Sequence, residues 1–186
     1  MGRLFVALLA LAFASTYHAA AQNDKKESGG HQHSHEHKEV GAHQHGHGSV
    51  NIAIEGNRLN IELEAPGDDI VGFERVAKTK KDKAAIAAAD KKLRDTAKVF
   101  EVPAAAECKA VKSDVELHGG KGEHNEFHAS YEYECGKISA LDRIDFKYFT
   151  AFPRAKELEV AVINAQGQMK FEATRKKTLI KFGEAK

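Results

Sequence analysis

The chain has 186 residues, with 28 Lys and Arg against 27 Asp and Glu and a formal charge of +1. That balance supplies no field to steer it toward nucleic acid or an anionic membrane, and the length suits one domain with a flexible extension. Eleven histidines beside two methionines and no tryptophan are the outlying feature.

Met1-Gly2-Arg3, the apolar run Leu4 to Ala14 and the small residues of His18-Ala19-Ala20-Ala21-Gln22 have the layout of a secretory signal peptide over residues 1–21, cleaved after Ala21. The run is shorter than the roughly 20 apolar residues that span a bilayer, although a signal anchor is the alternative. Val6 stands where myristoylation needs Ser or Thr, and no cysteine lies near the cleavage point to take a thioether lipid. The expectation is an exported, periplasmic protein that is not inserted in the membrane after cleavage. Loss of Arg3 then leaves it formally neutral.

Residues 22–48 are polar and rich in Gly, His, Lys and Glu, with only Val40 and Ala42 as apolar side chains. Such a leader cannot bury enough surface to offset its ordering entropy, so it should be disordered without metal. From Ser49 the pattern changes. Val50, Ile52 and Ile54, then Leu59, Ile61 and Leu63, alternate around Gly56-Asn57 and predict a β-hairpin, ended by Pro66-Gly67. Asp68 to Phe73 suits a helical turn. Asp82 to Phe100 predicts an amphipathic helix with Ile86, Leu93, Ala97 and Phe100 on one stripe, stopped by Pro103.

The β pattern then returns. Val111, Val115 and Leu117 are in step, with Cys108 out of step, which a bulge would explain. Phe127, Ala129, Tyr131, Tyr133 and Cys135 share a face. Ile144, Phe146 and Tyr148 alternate, as do Leu158, Val160 and Val162. Gln166-Gly167 turns into Met169, Phe171 and Ala173, and Leu179 to Phe182 is placed to close the sheet. The predicted fold class is α+β, mainly β: an antiparallel sheet or β-sandwich of about seven strands with one amphipathic helical insertion over residues 49–186. An even cysteine count in an exported chain favours a Cys108–Cys135 disulfide over a Cys/His metal site, since no Cys-x-x-Cys pair is present.

Seven histidines occupy alternate positions in two bursts: His31, His33, His35 and His37, then His43, His45 and His47. In an extended chain, residues two apart project to the same side about 6.5–7 Å apart, too far to chelate one ion whose bonds to nitrogen are about 2.0–2.1 Å. The pattern therefore favours an adaptable metal site in a chain that can curl. The first burst should act as a lure that raises local ligand concentration, while His45 and His47 are tethered close to the domain. An engineered tag is the alternative for the leader, but tags are usually uninterrupted histidine runs. Downstream, His118 is followed by His124, Glu126 and His128, the last three on one face of a strand that runs through this segment. Imidazole and carboxylate are ligands that zinc accepts, with Glu132 and Glu134 beyond them as acceptors for imidazole N–H groups. Polar residues on a half-exposed strand are the plain alternative. The ions expected to settle at His45 and His47 would meet His124, Glu126 or His128.

These ligands suit zinc, and also nickel, copper(II) or cobalt. Zinc is favoured by abundance, and the thioether arrays that suit copper(I) are absent. Binding should weaken as pH falls through about 6, because imidazole coordinates only when neutral. No His-Glu-x-x-His helix, nucleophile or oxyanion donor set is evident, so the chain is not expected to be an enzyme. A periplasmic metal buffer or interaction domain that binds metal incidentally is the alternative to a dedicated capture protein.

Particular stretches carry a further likeness. His43-Gln44-His45-Gly46-His47-Gly48 leads into Val50-Asn51-Ile52-Ala53-Ile54-Glu55-Gly56, Leu59-Asn60-Ile61-Glu62-Leu63-Glu64-Ala65-Pro66 and Val71-Gly72-Phe73-Glu74. Pro103-Ala104-Ala105-Ala106-Glu107-Cys108, Phe127-His128-Ala129-Ser130-Tyr131-Glu132-Tyr133-Glu134-Cys135 and Phe149-Thr150-Ala151-Phe152-Pro153 follow. Together they resemble the zinc-regulated, ZrgA-like family of periplasmic zinc-binding proteins associated with bacterial zinc uptake, formerly a domain of unknown function. The resemblance implies an exported accessory protein that captures zinc and helps pass it to a zinc-uptake transporter component. The family often carries a denser histidine and acidic insertion where this chain has Leu117-His118-Gly119-Gly120-Lys121-Gly122-Glu123-His124, which implies fewer ions here.

Overall fold

The computed structural model describes residues 45–119 and 124–183. The expected signal peptide, the expected leader up to Gln44 and its His31, His33, His35, His37 and His43 lie outside the described residues.

The alternating apolar residues build a hairpin from β1 (His47–Glu55) and β2 (Arg58–Pro66). Val50 opposes Leu63 and Ile52 opposes Ile61, so both strands press one face into the core, where all four are at most 1 % exposed. On one side β2 pairs antiparallel with β4 (Glu126–Cys135), which pairs with β3 (Cys108–His118). On the other side β1 pairs with β6 (Glu157–Asn164), and β6 with β7 (Gly167–Thr174). The sheet order is β3-β4-β2-β1-β6-β7. The β1–β6 pair is parallel, so the sheet is mixed where the sequence pattern suggested only antiparallel neighbours. The connection between β4 and β6 is long enough to carry the chain across to the far side of the hairpin, as a parallel neighbour requires. The mainly-β α+β class is as expected.

Two further details depart from the sequence reading. Leu179 to Phe182 does not close the large sheet. Instead β8 (Leu179–Lys181) pairs with β5 (Arg143–Asp145) in a separate two-stranded sheet. β5 also ends at Asp145, and Tyr148 opens a helical turn, α4 (Tyr148–Ala151). Ile144, Phe146 and Tyr148 are nonetheless fully buried: their spacing reported burial, and periodicity in so short a run does not specify a strand.

Helices cover the apolar side. Between β2 and β3 lie α1 (Gly67–Val71), α2 (Lys80–Arg94) and α3 (Thr96–Val99). The Tyr131 hydroxyl on β4 donates to the Leu93 carbonyl at 3.0 Å, and Phe100 meets the Tyr131 ring edge-on at 5.2 Å. The predicted stripe is right for Leu93 and Phe100 but not for Ala97, which is exposed. The helix breaks at Asp95, which shifts the angular register and turns Val99 inward instead. On β3 the register slips between Ala110 and Lys112. This bulge turns Val111 out to 56 % exposure and leaves Val115 as the buried member of its expected stripe, with Leu117 at 38 % on the sheet edge. At the start of that strand Cys108 opposes Cys135 and is bonded to it.

α2 starts with a reciprocal cap. The Asp82 N–H donates to the Thr79 hydroxyl at 3.0 Å, and the Thr79 N–H donates to the Asp82 carboxylate at 3.1 Å, which satisfies two donors that a helix start otherwise leaves open. Asp82 also takes both arms of Arg75, at 2.7 and 3.0 Å. The Arg75 guanidinium, first, and the Thr79 N–H hold the Asp82 carboxyl well below the usual carboxylate range. A group with a depressed folded-state pKa contributes stability above its unfolded pKa, about 3.9, and loses it as pH falls toward the folded value. Asp82→Asn should therefore lower the melting temperature by roughly 3–6 °C at neutral pH. Thermal melts of the two proteins should stay separated above about pH 4 and draw together progressively as pH falls below it toward the folded-state pKa.

Candidate metal centre

The loop after α1 carries the carboxylate at the middle of the site. α1 ends at Gly72, whose φ of 84° is the left-handed conformation that closes helices, and the chain then runs through Phe73-Glu74-Arg75 to the α2 cap. Asn125, 5 % exposed, fastens this loop to the sheet. Its N–H donates to the Glu74 carbonyl at 2.9 Å, its side-chain amide donates to the Arg75 carbonyl at 2.7 Å, and its carbonyl accepts the Gly67 N–H at 2.7 Å. Gly67 is required by this approach: a Cβ there would lie 2.7 Å from the Phe73 carbonyl oxygen and 2.9 Å from that of Asn125.

The clamp sets His124 beside Glu74. His124 Nδ1 lies 2.5 Å from Glu74 Oε2, and His45 Nε2 approaches the same oxygen to 3.0 Å. His45 is positioned through Gly46, whose N–H donates to Asp69 Oδ1 at 2.7 Å and whose carbonyl accepts the N–H groups of Lys156 and Glu157, each at 2.9 Å. Gly46 has φ 92° and packs against the Lys156 stem, which a side chain would not permit. One ligand atom each from His45, Glu74 and His124 thus lies within 4.8 Å of the others, and this is the one such group among the described residues.

The electrostatics favour a cation. The Glu74 side chain is 8 % exposed while His45 and His124 are open to solvent at 60 % and 69 %. Glu74 Oε1 is buried with no hydrogen-bond partner among the described residues, as is Asp69 Oδ2. Burial pushes the Asp69 carboxyl upward, with the charges of Asp68 and Glu74 acting the same way and the Gly46 N–H and His45 opposing them. A carboxylate held out of water is costly unless paired with positive charge, and two lie here behind two imidazoles at the surface. Two imidazole nitrogens and one carboxylate oxygen are ligands for zinc, and three protein ligands leave a coordination position open.

The sequence-derived candidates divide three ways. His45 and His124 meet at this centre. His47, on β1, instead lies 3.6 Å from Glu157. His118, Glu126 and His128 stand on the polar face of the sheet and do not join the group that His45, Glu74 and His124 form. His128 Nε2 is 2.8 Å from Glu126 Oε2, and His118 Nε2 is 3.1 Å from Glu116 Oε2. His124 parts from Glu126 and His128 because β4 begins only at Glu126, so strand alternation does not extend to it. Glu74 and its clamp Asn125 went unselected in the sequence. The one available signal was Glu74 closing the Val71-Gly72-Phe73-Glu74 stretch, and nothing metal-ligating adjoins it there. Asn125→Ala should cost about 1–2 kcal/mol of stability by freeing the Arg75 carbonyl and weaken zinc binding by roughly tenfold by loosening Glu74 against His124. Paired thermal melts and zinc competition titrations measure both.

Among the described residues no helix is long and apolar enough to cross a membrane. A family model described as ZrgA family zinc uptake protein matches residues 42–182. No curated protein matches the chain.

Proposed function

We propose, for a chain that belongs to the ZrgA family of zinc uptake proteins, that it captures zinc outside the cytoplasm and hands it to a component of an uptake transporter. The observation that carries this reading is the convergence of His45, Glu74 and His124 on one small volume. The histidines of the leader collect ions at low affinity and raise their concentration beside the domain. An ion then exchanges into the centre, where it displaces the hydrogens that the imidazoles share with Glu74 and compensates the buried carboxylate. Exposure of both imidazoles leaves the ion open on one side, so a partner's ligands can add before the protein's own let go. The disulfide suits an oxidising, extracytoplasmic compartment.

The test is growth under zinc limitation of cells whose own copy of the gene is deleted and replaced. The full chain should restore growth, and a chain carrying Glu74→Gln and His124→Ala should not, at equal protein levels. If the double variant restores growth fully while removal of residues 22–43 abolishes it, uptake depends on the leader alone and the centre is not the functional site.

A further inference from the structure

We propose that the solvent face of the sheet holds a second, weaker divalent-cation site, built from His118 and Glu116 on β3, Glu126 and His128 on β4, and Glu64 on β2. It is separate from the His45–Glu74–His124 centre and does not depend on the reading given to that centre.

The register builds it. Glu64 on β2 opposes His128 on β4, and His128 opposes Glu116 on β3. In the adjoining row Glu126 opposes His118. Directly opposed residues of neighbouring strands project from the same face, so these side chains form one patch over three strands. The His118 and His128 rings lie 4.1 Å apart between centroids, tilted by 31°. Each ring touches a carboxylate: His128 Nε2 is 2.8 Å from Glu126 and its Nδ1 3.9 Å from Glu64, while His118 Nε2 is 3.1 Å from Glu116. The patch borders a surface groove of about 450 Å³ lined by Glu62, Glu64, Asp114, Glu116, His118 and His128 among others.

Three carboxylates surround two imidazoles, so oxygen and nitrogen donors of the kinds that bind divalent ions lie side by side. Lys112, which also lines the groove, is engaged by Asp114 at 3.1 Å and Glu132 at 3.5 Å. The register sets each of these carboxylates directly opposite an imidazole, so every cross-strand pair in the patch joins the two ligand types. Glu126 is only 15 % exposed and is therefore a fixed oxygen donor, whereas His118 at 51 % is free to rotate toward a shared ion. The ligand set, imidazole with carboxylate, takes zinc and the neighbouring divalent ions nickel and copper(II). Because these atoms do not already converge as those of the first centre do, the site must reorganise to bind. It should hold zinc at least tenfold more weakly and exchange it faster.

The test is calorimetric titration of the full chain with zinc, paired with imidazole ¹H–¹⁵N spectra, for the unaltered protein, His118→Ala/His128→Ala, Glu126→Gln and Glu74→Gln. The leader is common to all four, so its ions cancel in the differences. The double histidine variant should lose one equivalent from the weaker phase and keep the tight one. Glu126→Gln, which preserves both rings, should weaken that same equivalent at least fivefold. Glu74→Gln should lose the tight equivalent and keep the weak one, with the His118 and His128 resonances still shifting. Unchanged stoichiometry in the weaker phase for both face variants, or His128 resonances unmoved through saturation, would overturn the proposal whatever Glu74→Gln does. A tight phase intact in Glu74→Gln would count against the first centre alone.

Discussion

Glu74→Gln should weaken tight zinc binding by about 100-fold, or roughly 2.7 kcal/mol, while changing the melting temperature of the metal-free protein by less than about 3 °C. The two halves have one cause. The Oε2 atom of Glu74 lies within reach of both His45 Nε2 and His124 Nδ1, so it is the anion on which the centre is built. Glutamine keeps the shape and an acceptor oxygen but removes the charge, and the amide is a poor ligand for zinc compared with a carboxylate. In the metal-free protein the same carboxylate is buried with Oε1 unpartnered among the described residues, so neutralising it relieves a desolvation cost that offsets the weakened bonds to the imidazoles. His45→Ala and His124→Ala should each produce a loss of affinity of similar order. Competition against a chromogenic chelator reads the affinity, and calorimetric melts in the presence of chelator read the stability. A Glu74→Gln protein that has lost its fold as well as its zinc would assign Glu74 a structural role instead.

The converse result is expected from Cys108→Ser/Cys135→Ser. Cys108 and Cys135 are directly opposed and bonded, 27 residues apart in sequence. In the chain-entropy model, closing a loop of that length contributes roughly 3–4 kcal/mol by restricting the unfolded chain, so removal should lower the melting temperature by about 10 °C. Zinc affinity should change by less than about threefold. Cys135 ends β4, while His124 and Asn125 precede its start, and ten residues of strand hold the two ends roughly 30 Å apart. The clamp that positions Glu74 is made wholly at the far end, by Asn125 with Gly67, Glu74 and Arg75. Denaturant titration of the oxidised protein and the serine variant gives the stability difference, and zinc competition on the same samples gives the affinity. A large loss of zinc binding in a variant that remains folded would mean that the disulfide reaches the centre through the sheet.

Alternation was the most legible part of the sequence because each strand of the hairpin and β4 has one buried face. Val50, Ile52, Leu59, Ile61, Leu63 and Phe127 are at most 1 % exposed, and a one-residue slip would expose them all. What alternation does not carry is which strands are neighbours, so the parallel β1–β6 pair and the removal of Leu179–Lys181 to a second sheet were not readable. The interior of α2 was legible, but not the break at Asp95 that exposes Ala97 and buries Val99. For the centre, the histidines were visible because imidazole is rare and clustered. Glu74 was not, because a single glutamate among 27 acidic residues carries no local sign of its partners 29 residues before and 50 residues after it. Long-range convergence of this kind is made by the fold, here by a buried asparagine amide that the sequence does not distinguish from any other.

The proposed function requires zinc to lie among His45, Glu74 and His124. A crystal of the full chain loaded with one equivalent of zinc, with data collected on either side of the zinc absorption edge, locates that ion directly. A single dominant anomalous peak is expected about 2.0–2.1 Å from His45 Nε2 and His124 Nδ1, and about 2.0–2.2 Å from a Glu74 carboxylate oxygen. A first-equivalent peak on the sheet face or on leader histidines alone, with both of these imidazoles still against an unliganded Glu74, would contradict it.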